Sequence, residues 1–390
     1  MELDTKLIHG GPLIDKYTGS SSVPIYQAST FHQSQFAESQ EFTYTRFGNP
    51  TRKALEETIA SLEFAKYGYA FSSGMAAISA VLLNFSHGDH VVLPKDIYGG
   101  AYQLVTEMFP KYGIEYTFVD ETNLSSWEKA IKKNTRGIYI ETPSNPLLTI
   151  TDIKGVVMMA KQRNILTIID NTFMSPIYQN PIKLGVDIVI HSATKFINGH
   201  SDVTAGLVVT NDEEIAETIY KTQKMFGSML DPYDCWLVLR GIKTMKVRME
   251  KEVENADFIA KELQKHSKVK AVYYPGLANH KGKELHFSQS SSGGAVLTFD
   301  LGSYENAKTL FENVTLPIVA VSLGGVESIL SYPYTMSHAC VPEKERLELG
   351  VTNGLIRLSC GIEDKHDLLN DLLRALDHVI SENRPQKKII

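Results

Sequence analysis

Ile165-Leu166-Thr167-Ile168-Ile169-Asp170 is followed, after one crossover's length of chain, by Val186-Asp187-Ile188-Val189-Ile190 running into His191-Ser192-Ala193-Thr194-Lys195. Both apolar runs are too short for a helix and too continuous for a strand with one wet face, so they read as strands buried on both sides. About 25 residues separate Asp170 from Lys195, the length of one helical crossover, which predicts that the two lie on neighbouring strand ends. Outward from this pair the pattern repeats. Runs at 89–94 and 137–141 precede it, a run at 206–210 follows it, and helix-length amphipathic stretches such as 152–163 lie between. That alternation predicts an α/β unit with a mostly parallel sheet covered by helices on both faces.

Beyond this unit the spacing changes. A long helical segment is expected over 231–265, strands with alternating faces at 269–274, 294–299 and 355–359, and a closing amphipathic helix over 364–380. This is an α+β arrangement, which puts a boundary near residue 245. The expected organisation is an extended arm over 1–45, rich in Gly, Ser, Gln and Thr, then a cofactor-binding unit over 46–245 and a smaller α+β unit over 246–390. The tail 384–388 is expected to fray.

Bulk properties narrow the function. In 390 residues, 43% are apolar and 22% charged, which is globular composition rather than disordered or collagenous. A net charge of −6 argues against nucleic-acid and anionic-membrane partners. No basic leader with an apolar core opens the chain and no apolar run reaches spanning length, so a cytoplasmic protein is expected. Cys235, Cys340 and Cys360 lie far apart, which reads as three buried, reduced thiols rather than a disulfide or zinc framework.

Strand ends carry the chemistry in such sheets. A carboxylate at a buried strand end, as at Asp170, is costly without a donor or cation; standing alone it would read as a cap for the next helix. Lys195 sits just past a buried strand between the hydroxyls of Ser192 and Thr194, and lysine is the side chain that sheds its proton readily when desolvated. Ser72-Ser73-Gly74-Met75 precedes a helix, where free backbone N–H groups and the dipole favour a phosphate. Each feature alone has a plainer reading. Together they supply a phosphate cradle, an imine-forming lysine and a carboxylate for a ring nitrogen, which is what pyridoxal 5'-phosphate requires. His87-Gly88-Asp89-His90 reads as a glycine turn entering a strand, so no metal is expected. His191 reads as an interior histidine. Arg357, in an apolar strand, calls for a carboxylate.

With those residues in hand, the chain resembles the Cys/Met-metabolism (trans-sulfuration) family of pyridoxal-phosphate enzymes from about Thr5 to Ala375. Tyr44-Thr45-Arg46-Phe47-Gly48-Asn49-Pro50-Thr51, Ser73 to Ala77, Asp96 to Gly100, Glu141 to Pro146, Asp170 to Phe173, Ser192 to His200 and Ser322 to Gly325 match family segments in order. Segments 320–324 and 328–333 are similar to the bacterial cystathionine β-lyase branch. The resemblance implies an aspartate-aminotransferase-like (fold type I) architecture and a homotetramer built as a dimer of dimers with shared active sites. By the same resemblance, the catalytic residues are Lys195, which carries the cofactor and shuttles protons, Asp170, which pairs with the ring nitrogen, and Tyr98, which stacks on the ring and serves as a base toward the incoming amine. Gly74, Met75, Ser192 and Thr194 hold the phosphate, joined by Tyr44 and Arg46 from a neighbouring subunit. Asn145, Ser322 and Arg357 bind the substrate. The activity implied is β-elimination of cystathionine to homocysteine, pyruvate and ammonia, as in methionine biosynthesis. The alternatives are a cystathionine γ-lyase or γ-synthase, or a methionine γ-lyase-like enzyme. Many γ-acting relatives have Glu where this chain has Val321, which leans toward β cleavage; methionine γ-lyases can also carry Val there but have Cys where this chain has Gly100, which disfavours that alternative. An aminotransferase fits the ordered motifs less well, and a silent regulatory module is expected to lack Lys195.

Overall fold

A computed structural model describes residues 1–34 and 39–380; the tail 384–388, expected to fray, lies outside the described residues. Among these, the strands form two sheets. The first comprises β1 (Tyr67–Phe71), β2 (His90–Pro94), β3 (Glu115–Val119), β4 (Thr135–Glu141), β5 (Leu166–Asp170), β6 (Ile188–Ser192) and β7 (Gly206–Thr210), in the order β1-β7-β6-β5-β4-β2-β3. The pairs β2–β3, β2–β4, β4–β5 and β5–β6 are parallel, and β7 runs antiparallel to both neighbours.

The two runs that open the sequence reading become β5 and β6, paired directly, with Asp170 opposite Ile190. Their side chains alternate between two cores, which is why both runs are apolar throughout. Ile169 and Val189 pack with Leu55, Ile59, Val156 and Val157 from the helices Pro50–Leu62 and Ile153–Lys161. Ile168, Ile188 and Ile190 pack on the other face with Ile78, Val81 and Leu82 of the helix Gly74–Leu82.

The second sheet comprises β8 (Ala271–Tyr273), β9 (Val296–Asp300), β10 (Ile318–Val319), β11 (Ile329–Ser331) and β12 (Leu355–Ser359), in the order β10-β11-β12-β9-β8. Its core, with Leu297, Phe299, Ile356 and Leu358, is closed by Leu368, Leu372 and Leu376 of the helix Lys365–Asp377.

Four local expectations change. β9 and β12 do not alternate wet and dry faces: every residue of β12 is buried, because helices cover one side and the functional cavity lies on the other. The segment 231–265 is two helices, Pro232–Ile242 and Met245–Leu263, joined at Lys243-Thr244, and Arg248 of the second donates to Gly241 O of the first at 2.9 Å. The arm opens with a helix, Leu3–His9, whose Leu7 is buried and whose Lys6 Nζ donates to Ser61 O at 2.9 Å. Finally, Cys235 and Cys360 are buried but Cys340 is exposed, on a loop between the sheets. Among the described residues no helix is long and apolar enough to cross a membrane.

Candidate active site

Because β1, β4, β5 and β6 point the same way, their carboxyl ends open on one edge of the sheet. A cavity of about 670 Å³ lies there, lined from both sides by residues of the two sheets. Gly74, Met75, Tyr98, Asn145, Asp170, Ser192, Thr194, Lys195, Ser322 and Arg357 all line it. Tyr44 and Arg46 do not: Arg46 donates to Lys224 O at 3.1 Å and lies over the ring of Phe47, on another part of the surface.

Lys195 follows β6 in a tight turn, with its N–H donating to Ser192 O at 3.2 Å. Arg248 fixes this turn from behind, donating to Phe196 O at 3.0 Å. The ammonium nitrogen reaches across the cavity and donates to Ser322 Oγ at 2.6 Å. Burial, and then the charge of Arg357, push the Lys195 pKa down to about 8, with Asp170 opposing.

Asp170 ends β5 opposite Glu141, which ends β4. Burial pushes both carboxyls up, and the charge of Asp170 raises Glu141 well above the usual range. Thr172 N–H donates to Asp170 Oδ1 at 3.0 Å, which favours ionisation of Asp170 over its neighbour. Glu141 Oε2 instead accepts from the Tyr98 N–H at 2.9 Å, fixing the turn that presents the Tyr98 ring.

The end of the cavity at the helix Gly74–Leu82 is built from close approach. Ser73 caps the helix Gly74–Leu82 by accepting from Ala76 N–H at 3.0 Å, which leaves the first N–H groups of the helix directed at the cavity. A side chain at position 74 would meet Ser192 Cβ and Oγ at 2.9 Å, so this contact requires glycine. Thr194 Oγ1 accepts from Ala205 N–H at 2.9 Å, holding its turn against β7.

Arg357 projects from β12, 3% exposed. It donates to Asn145 Oδ1 at 2.8 Å, Ser322 O at 2.6 Å and Ser331 Oγ at 3.1 Å, and its Nε has no hydrogen-bond partner. Among the described residues no carboxylate pairs with it, and burial pulls its pKa down to about 10. A buried, unneutralised guanidinium beside a cavity is a receptor for a carboxylate.

Several wall residues carry no role in the sequence reading. Glu141, Thr172 and Phe173 stand beside recognised positions, and their strand-end placement was the available signal. Met336, Ser337, Ala339 and Cys340 come from a loop that no local pattern ties to the sheet edge. Two weaker candidates resolve as interior groups: His191 Nε2 contacts Glu63 Oε1 at 2.7 Å, both wholly buried, and the His90 ring nitrogens lie 2.8 Å from Thr135 Oγ1 and Thr117 Oγ1.

An amine that sheds its proton near pH 8 suits carbonyl chemistry, and the carboxylate and helix N-terminus lie at either side of it. On this sheet, that is the arrangement of a pyridoxal-phosphate enzyme of the aspartate-aminotransferase-like fold, type I. The donors present fit the cofactor, since glycine at position 74 lets the Ser192 hydroxyl approach the helix N-terminus where a Cβ would collide with it. More narrowly, the chain belongs to the Cys/Met metabolism PLP-dependent enzyme family, whose profile matches residues 4–377. It is 56% identical over 377 residues to a cystathionine beta-lyase of Bacillus subtilis, covering 97% of each chain. It is 50% identical over 379 residues to a cystathionine gamma-lyase of the same organism, covering 97% of this chain and 100% of the other. The structure of a cystathionine gamma-lyase from Lactobacillus plantarum complexed with L-serine superposes with a TM-score of 0.95 at 43% identity, covering 97% of this chain and 99% of that one.

Proposed function

We propose that this protein cleaves the Cβ–S bond of cystathionine, with water yielding homocysteine, pyruvate and ammonia. One observation carries the reading: Arg357, buried and without a carboxylate partner among the described residues, faces the same cavity as Lys195, whose pKa burial lowers to about 8. An α-amino acid presents a carboxylate and an acidic Cα–H a few bonds apart, and this pair of groups meets both.

Pyridoxal phosphate, when bound, supplies an electron sink that stabilises negative charge at the substrate Cα. Its phosphate would be held by the Gly74 and Met75 N–H groups with the Ser192 and Thr194 hydroxyls. Asp170 would hold a proton at the ring nitrogen, and Tyr98 would cover the ring. Arg357 binds the substrate carboxylate, oriented by Asn145 and Ser322. Lys195 Nζ takes the Cα proton; homocysteine departs from Cβ as its thiolate and is protonated on release, and the three-carbon remainder is hydrolysed. Tyr44 and Arg46, outside the cavity of their own chain, serve the cavity of a second subunit in a dimer of dimers. The enzyme acts in the cytoplasm, in keeping with its three free cysteines.

Val321 lines the cavity next to Ser322 and can neither accept a hydrogen bond nor carry charge, which supports β over γ cleavage. A product assay with purified enzyme tests this. Pyruvate and homocysteine are expected to dominate, and Val321→Glu is expected to raise the share of 2-oxobutyrate and cysteine about ten- to a hundredfold, the worth of one charge-assisted hydrogen bond. A wild-type mixture dominated by 2-oxobutyrate overturns the β assignment.

A further inference from the structure

Beneath the loop that walls the outer side of the cavity lies a buried pair that takes no part in the chemistry proposed for Lys195 and Arg357. Met336, Ser337, Ala339 and Cys340 face the cavity, whereas His338, between them, turns inward and is fully buried. Its Nε2 lies 3.8 Å from Asp96 Oδ1, and neither atom has a hydrogen-bond partner. On its other side, His338 Nδ1 lies 3.0 Å from Ser337 Oγ.

Asp96 stands two residues before Tyr98 and connects three walls. Its other oxygen, Oδ2, accepts from the Ser144 hydroxyl, next to the Asn145 that orients Arg357, and lies 3.5 Å from Thr149 Oγ1. The loop meets the Tyr98 wall at two further points: Cys340 Sγ donates to Gly99 O at 3.2 Å, and a Cβ at Gly99 would lie 2.2 Å from Ser337 O. Burial holds the Asp96 carboxyl up at about 7 and the His338 ring down at about 4, so near neutrality the pair carries one dissociable proton rather than two charges. With Oδ1 and Nε2 otherwise unpartnered, a small closure of the loop converts their approach into a hydrogen bond.

We propose that Asp96 and His338 are positioning residues, a latch that closes the 333–341 loop over the cavity and sets how tightly substrate is enclosed. A latch acts through the loop on substrate retention and leaves the proton transfer at Lys195 alone. This rests on the reading of the cavity as a cystathionine site, and the two can fail separately: the product assay on unaltered enzyme tests the site, the variants below the latch.

The experiment uses holoenzyme with Asp96→Asn, His338→Ala, both together, and His338→Gln, which keeps a polar group near the Nε2 position. For each, KM and kcat for cystathionine are measured with amide hydrogen exchange over 333–341 and the visible cofactor band. Each of the first two substitutions is expected to raise KM about tenfold and speed loop exchange about tenfold, with kcat within about twofold and the band unchanged. The double variant is expected to be no worse than either single one, and His338→Gln to return KM to within about twofold. If His338→Ala yields no folded protein, Asp96→Asn and His338→Gln decide alone. Multiplying effects in the double variant, a raised KM without faster loop exchange, or an unchanged KM in Asp96→Asn overturns the latch.

Discussion

Replacing Arg357 by lysine keeps the charge and removes the fork, and the structure sets what that costs. The guanidinium is held by Asn145 Oδ1, Ser322 O and Ser331 Oγ, so its orientation is fixed before substrate arrives. A carboxylate arriving there exchanges hydration for charge-assisted hydrogen bonds worth about 1.5–3 kcal/mol each. Lysine offers a point charge on a different stem and loses about one of those bonds along with the preorganisation. A loss of about 2–3 kcal/mol corresponds to about 30- to 150-fold in kcat/KM. Because the carboxylate is bound equally before and during reaction, the loss is expected in KM, with kcat within about threefold. Leaving Asn145 Oδ1 and Ser322 O without their donor should also cost about 1–3 kcal/mol of stability, visible as a lower Tm. Spectral titration of the bound cofactor with glycine and with methylamine isolates the carboxylate term. Arg357→Lys should weaken glycine and leave methylamine unchanged. A kcat/KM within about fivefold of the unaltered enzyme, or equal weakening of both amines, would refute the assignment.

Lys195→Ala should abolish the visible cofactor band and nearly all turnover, and borohydride reduction of the unaltered holoenzyme should label the peptide carrying Lys195; a label on another lysine rejects the site. Mixing inactive Arg46→Ala with inactive Lys195→Ala subunits should restore about one quarter of the activity, because half of randomly re-associated dimers hold one complete site of two; confirmed hybrids that stay inactive exclude a shared site. Glu252, wholly buried with Arg248 Nη1 4.0 Å from its Oε1 and no hydrogen-bond partner for either carboxyl oxygen, has its pKa raised by burial to about 8 from an ordinary 4.5. The folded state therefore keeps a proton that the unfolded chain releases, and stability falls as pH rises from 4.5 to about 8. Glu252→Gln should raise Tm at pH 8 and change it little at pH 4.5; an equal or lower Tm at pH 8 contradicts this.

What was legible in the sequence follows from which residues are fixed locally. β5 and β6 are buried on both faces, so their runs are uniformly apolar, and a polar residue at the end of such a run marks the sheet edge. Asp170 and Lys195 were readable for that reason, and the Ser73-Gly74 helix start by its hydroxyls and glycine just before a helix. β1 and β3 were not, because they lie at the two edges of the sheet and most of their residues are half-buried or exposed. β1 also carries Gly68, where a Cβ would sit 2.3 Å from Glu56 O; the glycine answers a contact with the preceding helix and locally looks like a turn signal. β10 and β11 are two and three residues long, too short for any period to register. The wall at 333–341 depends on Asp96 and Gly99, more than two hundred residues earlier, and nothing within the loop announces them. Cys340 was misread as buried for the same reason.

Ser322 joins the chemistry of the two sheets. Its backbone has φ 97°, a region a side chain enters at a cost of about 1–3 kcal/mol. Glycine would adopt that conformation without strain, and glycine does stand two residues on at Gly324, whose φ is 76°. Serine at 322 provides what glycine lacks. Its Oγ accepts from Lys195 Nζ while its carbonyl accepts from Arg357 Nη2, so one residue fixes the distance between the amine and the guanidinium. That distance sets how strongly the Arg357 charge depresses the Lys195 pKa. Gly324 secures the same segment from below, packed so tightly on the Lys195-Phe196 backbone that a Cβ would lie 2.6 Å from Phe196 N. The strain at Ser322 is therefore held by the contact between the sheets. A shift of one sheet against the other would alter substrate binding and the acidity of Lys195 together.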